Sequence, residues 1–176
     1  TQFREFLARR GAIPPPNPND PVPSIESRRR MFLDSAPAAT GIKPLSVVAN
    51  GVTCEYVTSP GSDHGRRMLY LHGGGFTVGS HVSHRRIAAE LSKASGSSVL
   101  NVNYRLAPEH VFPAQLEDAL AAYEWMLANG PTGTGRGRST FVAGDSAGGG
   151  LALALLLSLR DSGKPAPNAA VTFSAW

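Results

Sequence analysis

The sequence predicts an α/β fold, a mostly parallel sheet flanked by helices. From residue 45 onward, short apolar runs of strand length alternate with amphipathic helical stretches. An Asn50-Gly51 pair between "LSVVA" and "VTCEYVT" marks a hairpin, which sets an antiparallel pair at one edge of that sheet. The stretch "FVAGDSAGGG" runs from an apolar strand directly into glycines and then into the helical "LALALLLSLRDSG".

The elements follow in order. Phe3, Phe6, Leu7 and Arg10 have helical spacing, and the proline-rich "IPPPNPNDPVP" after them excludes regular helix. Ser24 is the expected N-cap of a second helix reaching about Asp34. Residues 1–40 therefore predict a separate flap or cap segment of short helices, with a plain linker as the competing reading, and residues 41–176 the domain that holds the sheet. After the hairpin, "RMLYLH" predicts a third strand, and a helix over 82–95 carries Ile87, Ala88, Leu91 and Ala94 on one face. "SVLNVNY" is the next strand. Pro113 opens a helix with Leu116, Ala119, Leu120, Tyr123 and Leu127 on one stripe, ended by Gly130. "GPTGTGRGR" predicts a loop, "STFVAG" a strand, and "AAVTFSAW" a final strand.

Composition narrows the function classes. The 176 residues suffice for one domain with a real core, and 41% hydrophobic with 17% charged residues fits a globular protein. Net charge is +4, with the basic residues scattered. The densest run, Arg28-Arg29-Arg30, predicts the solvated face of a short helix, and without interleaved aromatics it argues against nucleic acid as a partner. The single cysteine, Cys54, excludes an internal disulfide and predicts a passive strand residue. His81 and His84 lie three apart without an acidic or thiol partner nearby in sequence, so neither a metal nor another cofactor is expected. The longest apolar stretch is too short for a membrane span, and no secretory signal is visible, which predicts a cytoplasmic location. The chain opens with Thr, pointing to a further piece before it.

The chemistry concentrates at two glycine-rich stretches. In Gly144-Asp145-Ser146-Ala147-Gly148 the serine stands at a sharp strand-to-helix turn, the context of a nucleophile elbow. Its hydroxyl is lifted above the sheet edge, beside the N–H groups of a helix start. A phosphate-binding loop is excluded because position 150 is Gly where Lys is needed. The second stretch, His72-Gly73-Gly74-Gly75, follows a strand directly. Three glycines let backbone N–H groups converge on one point, which suits the oxygen that turns negative during acyl transfer.

Together with "VNYRLAPEHVFPAQLEDALAAYEWM", the stretches "YLHGGGFTVGS" and "GDSAGGGLALAL" resemble, in order, the hormone-sensitive-lipase branch of the α/β-hydrolases, the bacterial family IV carboxylesterases. The resemblance implies an α/β-hydrolase fold and hydrolysis of short- to medium-chain carboxylic esters. It makes Ser146 the nucleophile, Gly74, Gly75 and Ala147 the oxyanion donors, and the front helices part of a cap. Gly73, Phe76 and Asp145 are expected at the substrate pocket, with Phe76 packing at its mouth and Asp145 mainly orienting the elbow. His72 is expected to brace its loop, and Tyr104, Arg105, Glu109 and Asp118 to form a buried polar brace.

One part of the pattern has no counterpart in these residues. The fold's order is Ser, then acid, then His. The 30 residues after Ser146 hold one acid, Asp161, and no histidine. Asp161 falls about 20 Å down the following helix, too far to act at the serine. His81 or His84 swinging in as base is a rival that the family pattern argues against. The chain is thus read as the N-terminal portion of a longer esterase. Its partners would be a small ester and the remaining C-terminal portion, as the same or a separate chain, with a homodimer left open. The alternative is a non-catalytic small-molecule binder, because plant gibberellin receptors resemble the same family and lack the histidine.

Overall fold

A computed structural model describes residues 21–37 and 41–176. The helix expected around Phe3–Arg10 and most of the proline-rich stretch lie outside the described residues. Helix α1 is Ile25–Asp34, and the Ser24 hydroxyl caps it by accepting from the Ser27 amide. Strands β1 (Leu45–Ala49) and β2 (Val52–Val57) form the expected hairpin; Asn50 and Gly51 both have positive φ, 48° and 91°. Then come β3 (Asp63–Leu71), α2 (Arg85–Ser95), β4 (Ser97–Val102) and α3 (Ala114–Ala128). Strands β5 (Asn129–Gly130) and β6 (Gly133–Thr134) make a small separate hairpin inside the stretch expected to be loop. Strand β7 (Ser139–Asp145), helix α4 (Ala147–Asp161) and strand β8 (Ala169–Phe173) complete the order.

Six strands form one sheet in the order β1-β2-β4-β3-β7-β8, with β4, β3, β7 and β8 parallel and the hairpin antiparallel at one edge. Side-chain alternation along the strands builds a layer on each face. Leu69, Leu71, Leu100, Val102 and Val142 pack with Tyr123, Met126, Leu155 and Leu159, residues of α3 and α4. Met68, Tyr70, Val99 and Ala143 pack on the other face with Ala88 and Ala89 of α2. Strand β4 is buried along its whole length, as a central parallel strand should be.

Two helical faces differ from expectation. Helix α2 starts at Arg85 rather than 82, and it buries Ala88, Ala89 and Ser92 while Ile87 is 41% exposed. Helix α3 buries Ala119 and Tyr123 and packs Leu116, Leu120 and Leu127, half-buried, against the same core as expected, but Gln115, Asp118 and Met126 are buried as well. Asp118 is drawn inward because it accepts from the Arg105 amide at 2.8 Å and from its guanidinium at 2.9 Å.

Candidate active site

The strand-to-helix turn at Ser146 follows from steric necessity. Ser146 has φ 48° and ψ −123°, a conformation costly for a residue with a Cβ and found chiefly at functional sites. Its amide donates to the Phe173 carbonyl at 2.9 Å, and its carbonyl accepts from Gly150 and Trp176 amides, both at 3.1 Å. The turn is thereby stitched to the ends of β8 and α4. The hydroxyl does not cap α4, and Ser146 is partly exposed between the buried Gly144 and Ala147.

The flanking glycines are dictated by close backbone approach. A methyl at Gly148 would collide with the Leu71 carbonyl oxygen and stand 2.5 Å from that of His72. One at Gly144 would collide with the Gly148 carbonyl and stand 2.9 Å from the Gly149 nitrogen. These obstacles are backbone atoms of β3 and α4 and cannot swing aside. Gly148→Ala is expected to destabilise the protein at or beyond the upper end of the ~1–3 kcal/mol typical of overpacking. A urea titration checks this; a midpoint within error of the parent would mean that β3 can move.

The triple-glycine loop leaves β3 beside the elbow. Asp145 ties the two together: its Oδ1 accepts from the Gly73 amide at 2.9 Å and from the Tyr70 hydroxyl at 2.5 Å, while its Oδ2 lies 3.8 Å from His84 Nε2. Asp145 Oδ1 is thus held by protein partners, while the side chain stays 25% exposed. Gly73 is buried, so of the three glycines only Gly74 and Gly75 reach the surface. The loop then turns back, with the Thr77 and Val78 amides donating to the Gly74 carbonyl at 3.1 and 3.0 Å. Among the described residues, the Gly74, Gly75 and Ala147 amides have no protein acceptor. Phe76 lines an apolar cleft of about 400 Å³ between this loop and α4, together with Gly75, Val111, Phe112 and Leu151.

His72 sits beneath the loop in a column of rings. It stacks on Tyr104 at 4.2 Å and on His84 at 5.1 Å, and His84 stacks on Phe32 of α1 at 5.7 Å. His72 Nδ1 lies 2.8 Å from the Gly73 carbonyl, and the Tyr104 hydroxyl donates to the His72 carbonyl at 2.5 Å. Burial pushes the His72 imidazole down to about 3, so it stays neutral. The unfolded chain binds a proton near 6.5 that the folded chain refuses until about 3. The contribution of neutral His72 to stability is therefore complete above about pH 6.5 and falls as the pH drops toward 3. Thermal melts between pH 7 and 4 are expected to show a shallower pH slope in His72→Gln than in the parent; equal slopes would contradict this.

The chain's other histidines make no hydrogen bond to Ser146. His84 is wedged in the ring column with Nδ1 2.9 Å from Ser83 Oγ; burial lowers its pKa, partly offset by Asp145. His64 meets Ser98, His110 is exposed, and His81 Nδ1 is buried without a partner. Cys54 is buried, which pushes its thiol up to about 12. No group of three or more His, Cys, Asp or Glu among the described residues is placed to hold a metal, and no described helix is long and apolar enough to cross a membrane.

Two expected groupings are corrected. Tyr104, Arg105, Glu109 and Asp118 do not form one buried brace. Arg105 pairs with Asp118 and Glu117, whereas Glu109, 49% exposed, pairs with Arg29. Nor is the arginine run uniformly solvated: Arg28 and Arg30 are exposed, but Arg29 turns inward onto Glu109 and the carbonyls of Thr77 and Ala107. No signal within the run separates Arg29 from its neighbours.

Residues 68–176 match the alpha/beta hydrolase fold family. An acetyl-hydrolase from Streptomyces hygroscopicus is 47% identical over 152 residues, covering 84% of this chain and 49% of that protein. The crystal structure of EstE5 soaked with p-nitrophenyl butyrate is 41% identical with a TM-score of 0.84, covering 99% of this chain and 57% of that one. The crystal structure of an esterase from the bacterial hormone-sensitive lipase family is 40% identical with a TM-score of 0.79, covering 90% of this chain and 53% of that one. The chain thus spans about half the length of the relatives it matches.

Proposed function

Since the chain belongs to the α/β-hydrolase family, on its hormone-sensitive-lipase branch, we propose that it is the serine-bearing part of a carboxylesterase acting on short- to medium-chain esters. One observation carries this reading. A partly exposed serine, held at positive φ on a strand-to-helix turn, is tied through Asp145 to a loop whose next two amides lack protein acceptors. The apolar cleft beside Phe76 and the match to EstE5 soaked with a butyrate ester support a small acyl substrate.

In this mechanism Ser146 Oγ attacks the ester carbonyl carbon and its proton passes to a histidine. The carbonyl oxygen, now negative, accepts from the Gly74, Gly75 and Ala147 amides. The alcohol departs with the proton from that histidine, leaving an acyl group on Ser146. Water then adds to the acyl carbon by the same route, releasing the acid and restoring the hydroxyl. The acid and histidine of the triad come from a C-terminal portion of the same hydrolase. Supporting this is the length of the relatives, of which the chain spans about half. Asp145 and His72 shape the loop and take no proton from substrate.

A fluorophosphonate probe tests the reading in the full-length protein. Labelling of Ser146, lost in Ser146→Ala, is the expected result; an unlabelled but folded protein would favour the binder.

A further inference from the structure

We propose that Arg29, in the cap helix, is a positioning residue for the oxyanion loop, holding the rear of that loop in the geometry its amides need. The proposal rests on the esterase reading above. A loop of three glycines has no side chains to fix its shape, so its anchors must come from elsewhere. At the front, the Gly73 amide is held by Asp145. At the rear, the chain leaves through Phe76 and Thr77, and there the Arg29 guanidinium meets four acceptors. Nε donates to the Thr77 carbonyl at 2.9 Å, Nη1 to Glu109 Oε1 at 2.8 Å, and Nη2 to Glu109 Oε2 at 2.7 Å and the Ala107 carbonyl at 3.0 Å.

The two carbonyls belong to segments already joined. The Ala107 amide donates to the Phe76 carbonyl at 2.8 Å, so Arg29 closes a clamp around the exit of the glycine loop. Phe32, one turn further along α1, stacks on His84 and so on the ring column that carries His72. An ion pair with partners 30% and 49% exposed stabilises a fold very little by itself. The planar guanidinium matters here because it spans a carboxylate and two carbonyls at once, which a lysine ammonium cannot do. The bond to Glu109 raises the Arg29 pKa and draws the Glu109 carboxyl down to about 2, so both stay charged wherever an esterase works.

Oxyanion donors act in the transition state, and small displacements of such groups are expensive. In the full-length protein, Arg29→Ala and Arg29→Lys should both lower kcat by roughly ten- to a hundredfold on p-nitrophenyl butyrate with KM changed little. Arg30→Ala, altering an exposed neighbour, should match the parent. Rates are normalised to sites titrated with fluorophosphonate, so a loss of folded protein alone does not register. Hydrogen exchange of the 74–79 amides, which needs no activity, should quicken in Arg29→Ala and not in Arg30→Ala. The proposal is overturned if normalised kcat in Arg29→Ala stays within twofold of Arg30→Ala, if Lys restores it, or if loop exchange is unchanged. An inactive parent would sink the esterase reading instead and leave the exchange comparison to judge Arg29.

Discussion

In the full-length protein, Ser146→Ala is expected to lower hydrolysis of p-nitrophenyl butyrate by about 10⁴- to 10⁶-fold while leaving the fold intact. The size follows from what the hydroxyl does. In the proposed mechanism no acyl-enzyme forms without it, and what survives is the modest acceleration from the oxyanion amides and substrate binding. The fold should not suffer, because the stitching at position 146 is made by backbone atoms: the amide to Phe173, the carbonyl to Gly150 and Trp176. The hydroxyl contributes no helix cap. Alanine also keeps the Cβ, so the cost of the φ 48° conformation is unchanged. Circular dichroism and urea midpoints like the parent's, with the rate loss, make the expected pattern. Activity within tenfold of the parent would remove Ser146 from the chemistry and leave the elbow a purely structural turn.

How much of this was legible beforehand depends on the sequence distance over which each feature is decided. The β1–β2 hairpin is written in two adjacent residues, the N-cap of α1 in one, and the strand-to-helix turn at 144–150 in a glycine spacing. The first two are decided by neighbouring residues and could be read locally; the third announces itself in its glycine spacing, although what bars a side chain at Gly148 is the distant Leu71 and His72 carbonyls. The alternation of Leu69 and Leu71 against Met68 and Tyr70 likewise separates the two faces of the sheet from one strand alone. Other features are decided by partners far along the chain. Arg29 differs from Arg28 and Arg30 only because Thr77, Ala107 and Glu109 meet it, 48 to 80 residues away. Asp145 faces Tyr70 and Gly73 across 75 and 72 residues. The ring column joins Phe32, His84, His72 and Tyr104 from four separate segments. Apolar periodicity found the inner stripe of α3 but not the full width of its buried face, because it gives no weight to Asp118, whose pairing with Arg105 makes its burial favourable. The glycine motifs could thus be read along the chain, while the side chains that hold them could not.

The second large effect concerns what the 176 residues can do by themselves. Expressed alone, they are expected to hydrolyse p-nitrophenyl butyrate on the order of 10³-fold or more slowly than the full-length protein. A serine hydroxyl is a weak nucleophile at neutral pH and needs a base within about 3 Å. All five histidines lie in described segments, and none is hydrogen-bonded to Ser146. His72 and His84 are committed elsewhere. His72 is sealed beneath the glycine loop, and moving His84 would break its stacking on Phe32 and His72. Asp145 cannot substitute as base while Oδ1 holds the Tyr70 hydroxyl and the Gly73 amide, since turning it would release the loop whose amides the reaction needs. The deficit should therefore be chemical as well as conformational. Adding the C-terminal portion in trans should recover activity, and the same portion with its catalytic histidine changed to alanine should restore folding without rate. Full activity from residues 1–176 alone would mean that a histidine of this chain, His81 or His84, reaches Ser146 after all, and the assignment of roles would have to be redrawn around it.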